Sequence, residues 1–193
     1  MRVFIGIALS DDAKRMISEN EDILRKRILS GNFVPEENHH ITLHFLGDIE
    51  EERIAQLKEA MDEASLHLRP FNLETSWVGE FRKRKRFIIW MGLEESEELQ
   101  KAHGRLKDAL EDKGFETEKA PFVPHITLVR NAIWRKEDSG LTFRETESTG
   151  RKIPIMADRF VLFESKRVDG KLSYINKYES NLYTEKSINN VYL

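Results

Sequence analysis

Short apolar runs and amphipathic stretches take turns along this chain. Val3–Leu9 is continuously apolar, which reads as a buried strand. Ser10, followed by Asp11 and Asp12, reads as the cap and first turn of a helix. The inner stripe of that helix is Ala13, Met16, Ile17, Leu24 and Ile28, and Gly31 is its stop. Pro35 and Asn38 mark a loop. His40–Leu46 alternates in the strand manner, and Gly47-Asp48 breaks it. Ile54, Leu57, Met61, Ala64 and Leu68 predict a second helix, which Pro70 ends. Phe71–Val78 predicts a strand, Phe81–Arg86 a basic turn and Phe87–Leu93 another buried strand. A third helix from about Ser96 turns Leu99, Ala102, Leu106 and Leu110 inward and stops at Lys113-Gly114. Pro121 and Pro124 bracket a loop. His125–Arg130 then has the look of His40–Phe45. Arg135–Gly150 is polar and predicts a mobile loop. Ile153–Met156, Arg159–Glu164 and Leu172–Tyr178 predict strands, and the tail from Ser180 carries no pattern.

The pattern contains a repeat. Val3–Leu9 and Phe87–Leu93 both lead into an acidic helix start, and both are followed by a strand beginning His-Ile-Thr-Leu. Leu9 aligns with Leu93 at an offset of 84 residues, and His40 with His125 at 85. Such a repeat is read before any fold is named. It predicts an α+β chain made of a duplicated α/β unit. Two pseudo-symmetric lobes, each an antiparallel-rich sheet with helices outside, would flank a central cleft. Residues 1–193 are expected to form one bilobal domain, with halves near 1–80 and 81–180 and residues 181–193 unassigned.

Composition narrows the classes. The chain has 193 residues, which suits one sizeable domain. Cysteine is absent, which removes disulfides, thiolate metal sites and a cysteine nucleophile, and suits a reducing cytoplasm. Net charge is −3, so the chain is no general coat for nucleic acid. The apolar runs are far short of the ~20 residues of a membrane span, and no cleavage site follows Val3–Leu9. The expectation is a cytoplasmic monomer with no membrane contact.

Candidate chemistry lies in the two identical tetrapeptides. On a strand, His40 and Thr42 share a face, as do His125 and Thr127. A pseudo-twofold axis would set the two pairs opposite each other across the cleft. Two imidazoles can then act as general acid and general base, with two hydroxyls donating to a tetrahedral anion between them. A single His-x-Thr is an ordinary half-buried pair; two copies in register within a repeat are not. Arg130 is a candidate phosphate ligand, although strict alternation points it away from His125, so it needs a twist or bulge to reach the cleft. His44 reads as lining the His40 face, His39 as a loop residue, His103 as packing and His67 as solvated. No ligand cluster accompanies His40 and His44, so no metal is expected. Gly-x-Gly-x-x-Gly and Walker loops are absent, so no cofactor is expected. Arg82-Lys83-Arg84-Lys85-Arg86 reads either as a solvated hairpin tip or as a contact to phosphates.

These motifs, in this order, resemble the RNA 2′,3′-cyclic phosphodiesterase family, also called 2′-5′ RNA ligases, of the 2H phosphoesterase superfamily. The resemblance rests on Arg2–Ile7, His40–Gly47, Ile89–Gly92, Pro121–Arg130 and Phe163–Ser165, and so covers most of the chain. It implies metal-independent hydrolysis of a terminal 2′,3′-cyclic phosphate on RNA to a 2′-phosphomonoester. It further implies His40 as the proton donor to O3′, His125 as the base that activates water, and Thr42 and Thr127 on the non-bridging oxygens. The residues alone do not distinguish acid from base. His39 departs from the family, which has an apolar residue there. The partners implied are RNA 3′ ends or small cyclic nucleotides. The alternatives are a phosphodiesterase of small nucleotides, the reverse 2′-5′ ligation, and a non-catalytic binder of RNA ends.

Overall fold

A computed structural model describes residues 1–66, 68–136 and 152–183. Its strands are β1 (Arg2–Ala8), β2 (Ile28–Phe33), β3 (His40–Asp48), β4 (Phe71–Lys83), β5 (Arg86–Leu93), β6 (His125–Trp134), β7 (Pro154–Ala157), β8 (Arg159–Val168) and β9 (Lys171–Asn181). Its helices are α1 (Asp11–Arg27), α2 (Ile54–Ser65) and α3 (Glu97–Asp112). The two helices that follow the apolar strands start alike. Ser10 accepts the Ala13 N–H and Ser96 the Leu99 N–H, each followed by two acidic residues. Each cap satisfies one of the orphan donors of a helix N-terminus.

Every strand pairing among these residues is antiparallel, and the order is β7-β4-β5-β6-β3-β1-β8-β9, with β2 also on β6. The fold is therefore α+β: a curled antiparallel sheet with three helices. Read outward from its middle, the order runs in matched pairs, β6 with β3, β5 with β1, β4 with β8 and β7 with β9. One core forms between the sheet and the helices. Ile5, Ile7, Ile41, Ile89, Met91 and Ile126 meet Ile17, Leu57, Met61, Leu99 and Leu106 there, all but fully buried. Burial of such side chains contributes about 1.5–3 kcal/mol each.

The structure corrects several sequence boundaries. The first helix ends at Arg27, not at Gly31, and the chain passes straight into β2, which the sequence reading lacks. Ile28 keeps the helical spacing but is buried as a strand residue opposite Trp134. Gly31 is needed for close approach: a Cβ there would press on Val129 Cγ1 and the Ala132 Cα of β6. The basic turn shrinks to a tight hairpin, with β4 running to Lys83 and Arg84 at φ +60. The unassigned tail begins later than Ser180. Ser180 is a buried β9 residue whose hydroxyl donates to Asp62 at 2.7 Å. His67, residues 137–151 of the polar loop and residues 184–193 of the tail lie outside the described residues. Among the described residues no helix is long and apolar enough to cross a membrane.

Candidate active site

The two His-Ile-Thr-Leu segments meet in the middle of the sheet. One residue pair, Ile41 opposite Ile126, joins β3 to β6. The antiparallel register about that pair sets Thr42 alongside His125 and His40 alongside Thr127. Ile41 and Ile126 are fully buried in the core, so these flanking pairs face the other side of the sheet, into the cleft. His40 and His125 stand on the diagonal, positions on the order of 7 Å apart.

Each imidazole is held in the same way. The Nδ1–H of His40 donates to the Asn38 carbonyl at 2.7 Å, and that of His125 to the Val123 carbonyl at 2.7 Å. The acceptor two residues back fixes the tautomer, which puts the lone pair of each neutral ring on Nε2. The neutral His40 ring accepts at Nε2 from the Thr42 hydroxyl at 3.0 Å. Aromatic side chains wall both rings. Phe4 lies 4.7 Å and Tyr174 5.0 Å from His40, and Phe81 lies 5.2 Å from His125. The close approach of β1 needs Gly6, because a Cβ there would collide with the Ile41 carbonyl oxygen.

Arg130 reaches the cleft through a β-bulge. Opposite β5, Trp90 pairs with Thr127 and Ile89 with Val129, so one residue of β6 is extra. Leu128 and Val129 both turn to the core, which reverses the parity at Arg130; a second register shift before Ala132 returns that residue to the core. The same device occurs in β3. Gly6 pairs with Thr42 and Ile5 with His44, leaving Leu43 extra. Phe45 is thereby brought to the cleft side, at the position that matches Arg130. His44 is thereby sent the other way. It does not line the His40 face; its Nε2–H donates to the His103 carbonyl and its ring stacks on His103 at 4.3 Å. His103 in turn stacks on Phe122 at 4.0 Å, in keeping with a packing role.

Electrostatics couple the cleft groups. Burial pushes His40 down to about 4; its bond to Asn38 works against this, while the charges of Arg130, His39 and His125 add to it. Burial also lowers His125, again reinforced by Arg130. Arg130 therefore acts on both rings. An anion in the cleft offsets that positive field and raises both imidazoles. If the two rings are the acid and the base, the pH profile of kcat lies alkaline of that of kcat/KM, because kcat reports the complex and kcat/KM the free protein. Initial rates across pH 4.5–9 measure this; coincident profiles, or a kcat profile displaced toward acid, contradict it.

Two further features escaped the sequence reading. His39 lies in the loop before β3, as expected, but it is buried. Its side chain is fully buried, with Nε2 3.2 Å from Glu21 of α1, and Glu21 also takes Arg25 at 3.1 Å. A lone Glu on the buried stripe of α1 is the signal that could have revealed this pair. Beside His125 lies a cavity of about 660 Å³ walled by Trp77, Trp90, Phe122 and Val123, with Glu94, Glu95 and Glu97 on its rim. That acidic lining disfavours a phosphate in this cavity.

Known structures share this architecture. LigT of Escherichia coli, solved with 3′-AMP, superposes with a TM-score of 0.79 over 95% of this chain and 98% of its own, at 24% identity. That likeness defines the class of fold, a LigT-like phosphoesterase fold. The profile of the 2′-5′ RNA ligase superfamily matches residues 24–167. The RNA 2′,3′-cyclic phosphodiesterase of Thermotoga maritima is 32% identical over 86% of this chain and 87% of its own. That of Bacillus subtilis is 30% identical over 83% and 86%. The chain belongs to the 2′-5′ RNA ligase superfamily.

Proposed function

We propose that the protein hydrolyses the 2′,3′-cyclic phosphate at the 3′ end of RNA to a 2′-phosphomonoester, without a metal ion. The observation that carries this reading is the matched pair of imidazoles. Each has Nδ1 tied to a main-chain carbonyl, which directs Nε2 away from it, to the Thr42 hydroxyl in the case of His40, and Arg130 acts on both. The names of the Thermotoga and Bacillus relatives support the substrate.

In the step proposed, His125 Nε2 takes a proton from water and the water oxygen attacks phosphorus. The P–O3′ bond breaks, and O3′ takes the proton that His40 carries on Nε2. The proton count balances: His125 ends protonated, His40 neutral, and the two exchange protons through solvent before the next turnover. Thr42 and Thr127 donate to the non-bridging oxygens, and Arg130 offsets the charge that builds on them. With the 5′-hydroxyl of a second strand in place of water, the same site joins 2′-5′ ends.

The β4–β5 hairpin favours RNA over a mononucleotide. Gly79 and Phe81 contact Trp90 or His125 and so face the cleft, and alternation puts Lys83 on that face, paired with Arg86. The arm thus runs from aromatic beside the imidazole to basic at its tip, suited to stacking a base and then neutralising phosphates. The test is incubation in EDTA of an RNA ending in a 2′,3′-cyclic phosphate, and of 2′,3′-cyclic AMP, with the product isomer read by chromatography. Conversion of the RNA to a 2′-phosphate end is expected, at a kcat/KM that falls steeply with salt. Glutamine at positions 83, 84, 85 and 86 is expected to flatten that salt dependence and spare the mononucleotide. Activity lost to EDTA and restored by zinc would overturn the metal-free mechanism.

A further inference from the structure

We propose that Asn38 is a positioning residue that ties the His40 imidazole to the β8–β9 hairpin, a proposal that rests on the two-histidine reading above. Asn38 is 4% exposed, and its polar groups are engaged on two sides. Its Nδ2–H donates to the Leu172 carbonyl at 2.8 Å, and its Oδ1 accepts the Tyr174 N–H at 3.3 Å. Its own carbonyl accepts the His40 Nδ1–H at 2.7 Å.

The geometry has a simple logic. Along a strand, the C=O of one residue and the N–H of the second residue after it point to the same edge. β9 ends the strand order, so Leu172 C=O and Tyr174 N–H have no strand beyond them in that order. The Asn38 carboxamide, one donor beside one acceptor, satisfies both as a residue of an added strand would. A single side chain thereby closes a sheet edge and fixes the carbonyl that sets the His40 tautomer. Tyr174 also lays its ring edge-on to His40 at 83°, so a shift of β9 moves the tautomer anchor and the wall together.

Among the described residues the second half has no such pin. Val123 offers the matching carbonyl to His125, but it is 45% exposed and its apolar side chain forms no hydrogen bond. Among the described residues only one of the two imidazoles is anchored to a distant strand, and it is the one read as the acid. An acid must present its proton to a leaving oxygen along one line, and small misplacements there cost on the order of 10²-fold in rate.

The test is Asn38→Ala, read in two ways. Steady-state kinetics on the cyclic-phosphate RNA are expected to show kcat reduced roughly 10- to 100-fold with KM within twofold. Nitrogen-15 NMR of the histidine rings is expected to show His40 passing from a single Nδ1–H tautomer to a mixture, with His125 unchanged. The NMR readout needs no substrate, so it tests the pin even where the assigned reaction fails. Wild-type kcat together with an unmixed His40 tautomer would overturn the proposal. If the alanine variant does not fold, the near-isosteric Asn38→Asp is read instead. It keeps the acceptor for Tyr174, loses the donor to Leu172, and brings a carboxylate toward His40. Its kcat is expected to fall and the alkaline limb of its pH profile to move up; an unchanged rate and profile would count equally against the pin.

Discussion

Replacing His125 by alanine is expected to lower kcat by ~10²–10⁴-fold, the range for a lost acid or base. His40→Gln is expected to do the same. Glutamine is preferred at position 40 because the ring fills a space between Phe4, Phe163 and Tyr174, and alanine would leave a cavity there. The two losses are not expected to add. In the proposed reaction each imidazole serves one half of a single proton exchange, so the double variant is expected to fall little below the worse single one. Thermal melts of each variant check that the fold persists. A His125→Ala protein that turns over cyclic phosphate within tenfold of wild type would remove His125 from the mechanism.

Arg130→Ala is expected to cost ~10²–10³-fold in kcat/KM, the cost of removing one charged donor from a developing oxyanion. It carries a second signature that loss of a phosphate ligand alone does not predict. Arg130 lowers both imidazoles, so its removal raises both, and the kcat/KM profile moves to higher pH as the rate falls. Arg130→Lys keeps the charge and loses the planar fork. It is expected to hold the profile near its original pH and to recover part of the rate. A rate within twofold of wild type in the alanine variant, or an unmoved profile, would refute the assignment.

How far the sequence already spoke can be judged from particular residues. The tetrapeptide His-Ile-Thr-Leu, twice in register, gave the strands and the shared faces, because alternation along a regular strand is a local property; that the two strands pair with each other in one continuous sheet was not legible there. The bulges lay beyond that reasoning. At Leu128-Val129 two apolar residues follow each other, and the bulge is decided by which residues of β5 they pack against. Arg130 was therefore expected on the wrong side unless a bulge intervened, and His44 was assigned to the wrong face for the same reason. β2 was missed because Ile28 satisfies a helical stripe and a strand pairing equally well, and Gly31 serves close packing as well as it would a helix stop. The bond from Asn38 to β9 spans more than 130 residues, and no local pattern records it.

The bulges that recur in the two halves carry a consequence for the direction of the reaction. A site built from two equal halves has a twofold degeneracy: a cyclic phosphate fits it equally well after a half-turn, which exchanges the nucleophile side with the leaving side. The two bulges deliver unlike side chains to matched places, Phe45 from one half and Arg130 from the other, and the anchor at Asn38 has only Val123 opposite it. These inequalities lift the degeneracy. An energy difference of about 1.4 kcal/mol between the two orientations is enough for a tenfold preference. In the proposed reaction the repeat supplies the two imidazoles, and the differences at these paired positions would select which of the two ribose oxygens is released.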